Sequence, residues 1–157
     1  MNFLTGSSVG YPTVNYKRLT DTAVVPKKAH LTDAAFDLYS DVGVEIPPGC
    51  HSTIRTGIAL DMSEGLASHF AVILSRSGLA AKDQIFVLNS PGLIDTGYRG
   101  ELKVILQNLS LREYEVEIGE RIAQIMFIPN YVVHLKEVDE LSESDRGEKG
   151  IGSSGKK

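Results

Sequence analysis

Between two apolar runs the chain carries Asn89-Ser-Pro-Gly-Leu-Ile-Asp-Thr-Gly-Tyr-Arg-Gly-Glu101. This stretch gathers a carboxylate (Asp95), an aromatic plate (Tyr98), a cation (Arg99) and an apolar anchor (Ile94) among Pro91, Gly92, Gly97 and Gly100. Glycine lets backbone turn tightly or approach a ligand where a side chain would block it. The pattern predicts a β-hairpin presenting main chain to something flat, although the same residues also build plain hairpins with solvated polar side chains.

Other groups could hold an anion. Ser75-Arg76-Ser77-Gly78 puts a guanidinium and hydroxyls where a strand run gives way to helix formers, at Ser77-Gly-Leu-Ala-Ala-Lys82. The tail holds Gly150-Ile-Gly-Ser-Ser-Gly155-Lys156, flanked by Arg146 and Lys149. It matches the glycines and lysine of a phosphate-binding loop, but Lys157 stands where Ser or Thr is needed and no helix follows. What remains is a Gly-rich backbone with hydroxyls and cations able to wrap phosphate as a lid. Asp37 and Gln124 are polar residues inside apolar β-type runs; a carboxylate so placed usually faces outward and sometimes meets a metal or its water. His30, His51, His69 and His134 are scattered without ligand spacing, and Cys50 has no evident activating partner.

The elements that must position these groups are short strands. Runs at Val14–Leu19, Ala35–Tyr39, Thr53–Leu60, Phe70–Leu74, Ile85–Leu88, Leu102–Leu109, Tyr114–Ile118, Ile122–Ile128 and Tyr131–Val138 are separated by Pro-, Gly- and Ser-rich turns. An all-β barrel or sandwich with one short helix is the expected fold. Apolar residues on both faces of 102–109 predict a central or interface strand. We expect a surface extension over 1–13, one β domain over 14–141, and a mobile arm over 142–157, where Ile151 is the only sizeable apolar residue.

Composition narrows the function classes. The 157 residues carry a formal net charge of −4 with 23% charged residues, which offers no basic footprint for nucleic acid. One cysteine excludes an internal disulfide framework and a cysteine zinc site. No apolar run approaches the roughly 20 residues of a membrane span, and no signal peptide is visible, so a cytoplasmic location is expected (the host-cell cytoplasm for a viral or phage-encoded chain).

Five motifs then fall in one order: Ala-Phe-Asp-Leu at 35–38, Ser-Arg-Ser-Gly-Leu-Ala at 75–80, Asn89 through Gly100, Gly119-Glu-Arg-Ile-Ala-Gln124, and Arg146-Gly through Gly155. Together they closely resemble the trimeric dUTPases, enzymes that hydrolyse dUTP to dUMP and pyrophosphate, and the likeness spans residues 14–155. The resemblance implies a distorted jelly-roll subunit, a homotrimer with active sites shared between subunits, and Mg2+ on the triphosphate. It implies that Asp95 activates the attacking water at the α-phosphorus. Asn89, Gly92, Ile94 and Tyr98 would bind the nucleoside, with Ile151 closing over it. Tyr98 would stack on the deoxyribose and exclude a 2′-hydroxyl, while the hairpin backbone would pair with uracil's edge. Phosphate would fall to Arg76, Ser77, Gly78 and Gln124, joined by Arg146, Gly152, Ser153 and Ser154 of the arm, and Asp37 would hold Mg2+ through water.

Two departures stand out. Ile151 takes the place of the family's usual arm aromatic, and Ser153-Ser154 stands at its usual Ser or Thr pair, a mild change that keeps the hydroxyls. The related dCTP deaminases carry a similar Asp-Ala-Gly-Phe-Glu-Gly stretch, but Arg99 stands where their deaminating glutamate would be. A regulatory or binding protein on the same trimer scaffold is the remaining alternative.

Overall fold

Short aliphatic and β-branched runs bounded by turn residues form ten strands among residues 12–150, the part described by this computed structural model. They are β1 (Asn15–Arg18), β2 (Phe36–Tyr39), β3 (Val44–Ile46), β4 (His51–Asp61), β5 (His69–Leu74), β6 (Ile85–Val87), β7 (Gly92–Ile94), β8 (Glu101–Asn108), β9 (Tyr114–Val116) and β10 (Arg121–Pro129). One sheet runs β1-β4-β8-β6, a second β2-β10-β5-β7, and β3 pairs with β9. Every pairing is antiparallel. This is the all-β arrangement expected from the turn spacing, and the jelly roll that the resemblance implies.

Along β8 a period of two decides what is buried, and neighbouring strands add to the same core. Ile54 and Ile58 of β4, Leu102, Val104 and Leu106 of β8, and Ile122 and Ile125 of β10 all sit in one apolar core with almost no exposed surface. Each such side chain contributes about 1.5–3 kcal/mol of transfer free energy, an upper bound because the unfolded chain already buries part of it. β8 is a central strand, as its two-faced pattern predicts. Buried Asn108 at its end is fully partnered: its amide donates to the Ile46 and Arg112 carbonyls, both at 2.8 Å, and its oxygen accepts Ser110 N–H at 2.8 Å.

The β4–β8 register shifts between Arg55 and Ala59. Gly57 lies inside that shift with φ +64°, and any Cβ there would fall 2.7 Å from the Ala23 Cβ and 2.9 Å from the Asp41 Cγ. Only glycine meets both conditions.

Three expectations need correction. No strand forms over 131–138; these residues are exposed and have no hydrogen-bonded neighbour strand among the described residues. The helix is a single wide turn, Leu79–Asp83, closed by Gln84 at φ 57°. The stretch 89–101 is not a simple hairpin: β6 and β8 pair as hairpin arms would, but the connection inserts β7 at the edge of the other sheet, beside β5. Among the described residues no helix is long and apolar enough to cross a membrane.

Candidate active site

The loop after β7 begins with Asp95. Its turn closes where Tyr98 N–H donates to the Asp95 carbonyl at 3.0 Å, and the Tyr98 hydroxyl donates to the Glu101 carbonyl at 3.0 Å. The Thr96 hydroxyl ties the loop to β5 by donating to the His69 carbonyl. Gly100 lies under the Tyr98 ring so closely that a Cβ would collide with the hydroxyl. Leu93, Ile94, Asp95, Tyr98, Glu101 and Lys103 line a recess of about 190 Å³. Asp95 and Tyr98 are exposed, Ile94 is half-buried, and Gly92 is buried. The Asn89 amide packs against Gly92, where an added Cβ would stand 3.1 Å from Asn89 Nδ2. Asn89, Gly92, Ile94, Asp95 and Tyr98 are therefore brought into one short stretch of surface.

A second group forms where three adjacent strands meet. In register, Gln124 of β10 stands opposite Asp37 of β2 on one side and Leu74 of β5 on the other. Gln124 Nε2 donates to the Ser75 carbonyl at 2.9 Å, which orients the amide. Arg76 Nε donates to Asp37 Oδ1 at 3.1 Å, and Arg76 Nη1 to the Arg121 carbonyl at 2.8 Å. Arg121 Nη1 takes the other Asp37 oxygen at 3.3 Å. Two guanidiniums thus share one carboxylate, leaving a positive balance beside exposed Ser77 and Gly78. A hollow of about 320 Å³ lined by Asp37, Leu74, Gln124 and Met126 opens here.

Arg121 was not singled out by the sequence, although it lies within the motif 119–124. Its guanidinium becomes legible only once β10 and β2 are paired. Asp37 is half-buried and ion-paired rather than simply outward-facing.

The two groups do not meet within one chain. β7 runs antiparallel to β5 with Ile94 opposite Ala71, so Asp95 sits at the start of β5 while Arg76 follows its end. Asp95 is level with Phe70, six residues before Arg76, and at about 3.3 Å per residue the two groups stand roughly 20 Å apart along the strand.

Of the arm, Arg146 is exposed and folds back on a local turn, its Nε donating to the Lys149 carbonyl at 2.9 Å. Ile151, Gly152, Ser153 and Ser154 lie outside the described residues, as does most of the 1–13 extension. Among the described residues no cluster of His, Cys, Asp and Glu gathers as a metal cage. Asp37 is the carboxylate nearest the phosphate-type donors, and each of its oxygens accepts one guanidinium N–H. Lone pairs remain on both for waters of a hydrated Mg2+.

Known proteins are similar to this chain over most of its length. The dUTPase family model matches residues 21–155. A deoxyuridine 5'-triphosphate nucleotidohydrolase of Clostridioides difficile is 47% identical over 139 residues, covering 88% of this chain and 95% of the relative. One from Clostridium tetani is 45% identical, covering 92% and 97%. Among solved structures, a point mutant of the dUTPase of Staphylococcus bacteriophage 80alpha with dUpNHpp superposes with a TM-score of 0.84 at 32% identity, covering 91% of this chain and 98% of that one. A dUTPase from phage phi11 of S. aureus, described with a coordinated structural Mg(II) ion, gives 0.76 at 25% identity, covering 83% and 99%. The matched span contains every motif from Asp37 to Ser154, and the chain belongs to the dUTPase family.

Proposed function

We propose that this protein hydrolyses dUTP to dUMP and pyrophosphate, limiting uracil in DNA and supplying dUMP for dTMP synthesis. The observation that carries the reading is the pair of surfaces built around β5: a recess with Asp95 beside Tyr98, and a cationic cradle of Arg76, Arg121 and Gln124. Hydrolysis at the α-phosphorus needs a water-orienting carboxylate on one side and phosphate donors on the other.

The recess takes the nucleoside. Tyr98 is fixed by its bond to the Glu101 carbonyl, and a ring held against the deoxyribose leaves no room for a 2′-hydroxyl. Asn89 and the backbone around Gly92 pair with uracil's edge. Cytosine, with donors and acceptors exchanged, would leave buried groups unpaired, a strong form of discrimination. Asp95 accepts a proton from the attacking water and aims it at the α-phosphorus. Arg76, Ser77, Gly78 and Gln124 grip the phosphates, and the arm residues Arg146, Gly152, Ser153 and Ser154 close over them, with Ile151 against the base. Asp37 would hold, through water, an Mg2+ carried on the triphosphate, and that ion would supply charge neutralisation at the phosphate oxygens.

Because the two half-sites stand roughly 20 Å apart along β5, Asp95 and Arg76 of one chain cannot serve the same α-phosphate. A homotrimer whose sites combine the recess of one subunit with the cradle of another resolves this, and it gives the exposed apolar residues beyond Pro129 a surface to cover.

The test is pyrophosphate release from dUTP, dTTP, dCTP and UTP, with and without Mg2+, and with Asp95→Asn as control. We expect turnover of dUTP alone, dependence on Mg2+, and a loss of at least ~100-fold in kcat for Asp95→Asn. Equal turnover of the four nucleotides, or full activity of Asp95→Asn, would overturn the assignment. Ammonia release from dCTP would point to the deaminase alternative instead.

A further inference from the structure

Arg99 stands between the two residues assigned to chemistry and sugar selection and the far end of a different strand. Its Nη1 donates to the Thr96 carbonyl at 2.7 Å and to the Tyr98 carbonyl at 3.1 Å, and its Nη2 reaches Asp61 Oδ1 at 2.7 Å. Asp61 is the last residue of β4 and is itself held, accepting Ser63 N–H at 2.9 Å and the Ser63 hydroxyl at 2.7 Å. One planar guanidinium thus fastens both ends of the turn that carries Asp95 and Tyr98 to the end of β4. The other loop contacts run to β5, through the Thr96 hydroxyl, or to the first residue of β8, through the Tyr98 hydroxyl.

We propose that Arg99 and Asp61 are a positioning pair for Asp95 and Tyr98, fixing their loop without touching substrate; the proposal rests on the dUTP-hydrolysing reading. Three acceptors around one guanidinium demand its forked, planar geometry, which a lysine ammonium cannot reproduce. The Ser63 hydroxyl and N–H, with Arg99 adding to them, hold the Asp61 carboxyl below its usual range, so the pair stays ionised at neutral pH. Both side chains are nearly half exposed, at 46% and 39%. An ion pair so exposed adds little to global stability, so a purely structural role would leave little mark, whereas a positioning role appears in catalysis.

The experiment measures kcat and KM for dUTP and UTP, together with thermal midpoints, in wild type, Asp61→Ala, Asp61→Asn, Arg99→Lys and the double variant Asp61→Ala/Arg99→Lys. The expected fall in kcat for dUTP is about tenfold, below the roughly hundredfold that a misplacement of about 1 Å can cost. The preference for dUTP over UTP narrows because Tyr98 moves with the loop. Midpoints stay within a few degrees of wild type, and the double variant is no worse than the poorer single one, since both remove the same brace. The milder Asp61→Asn keeps the test readable if a harsher change unfolds the chain. Unchanged kcat and unchanged dUTP preference in folded variants would overturn the proposal, as would activity lost only in step with folded protein. A wild type that turns over no dUTP would instead remove the functional assignment on which the pair depends.

Discussion

Single residues divide the proposed work, and Ile151 stands where the resemblance to the family implies an aromatic of the arm. An aliphatic side chain closing over uracil lacks the aromatic stacking term, about 0.5–1.5 kcal/mol. Ile151→Phe should therefore lower KM or raise kcat by several-fold in steady-state assays with dUTP. No improvement in either constant would show that the arm does not close by stacking. The candidate residues legible in the sequence were those whose type is odd for their surroundings: Asp37 and Gln124 in apolar strands, Arg76 at a strand end, Asp95 among glycines. Arg121 and Asp61 were not legible, because each looks like an ordinary exposed charge until strand pairing brings it to Asp37 or Arg99. Charge type was visible; partnership across tens of residues was not.

Among the elements, β9 and the turn into β10 carry a contact with a measurable pH consequence. The Tyr114 hydroxyl donates to Glu120 Oε1, while Glu120 Oε2 accepts Glu117 N–H at 3.0 Å. Burial, and then the Glu120 carboxylate, raise the Tyr114 phenol well above its ordinary value of 10.0. A raised acid favours the fold while protonated, so this contribution is complete below about pH 10 and is lost as pH rises through the folded value. Thermal melts should show stability falling above about pH 10, and Tyr114→Phe should flatten that fall, since it has no phenol to ionise. An unchanged alkaline slope in the variant would exclude the contact as its source. The neighbouring elements also explain what periodicity could and could not reveal. Long strands such as β4, β8 and β10 announce themselves as extended β-type runs between turn residues, whereas β3 has three residues and exists through its pairing with β9. β7 is disguised by the glycine and proline around it. The run 131–138 has the composition of a strand but no pairing partner among the described residues, and composition alone cannot supply one.

For the whole molecule the question is which chain contributes which half of the site. Tyr131, Val132, Leu135 and Leu141 are each more than four-fifths exposed, an apolar run of the kind that marks an interaction surface. Together with the separation of Asp95 from Arg76 along β5, this favours sites assembled between copies. Sedimentation should then report a particle three times the 17.1 kDa chain mass. Complementation distinguishes shared sites from sites contained in one chain. Asp95→Asn and Arg76→Ala should each be nearly inactive alone, one lacking the water-orienting carboxylate and the other a phosphate donor. When the two are unfolded together and refolded as an equal mixture, a site drawing its recess and its cradle from different subunits finds an intact pair in about one case in four. Activity should therefore recover to roughly a quarter of the wild-type value, while wild type refolded alongside gives the ceiling. In a site built from one chain every recess with intact Asp95 would face a defective cradle, and mixing would restore nothing. That outcome would overturn the shared-site arrangement while leaving dUTP hydrolysis itself untouched.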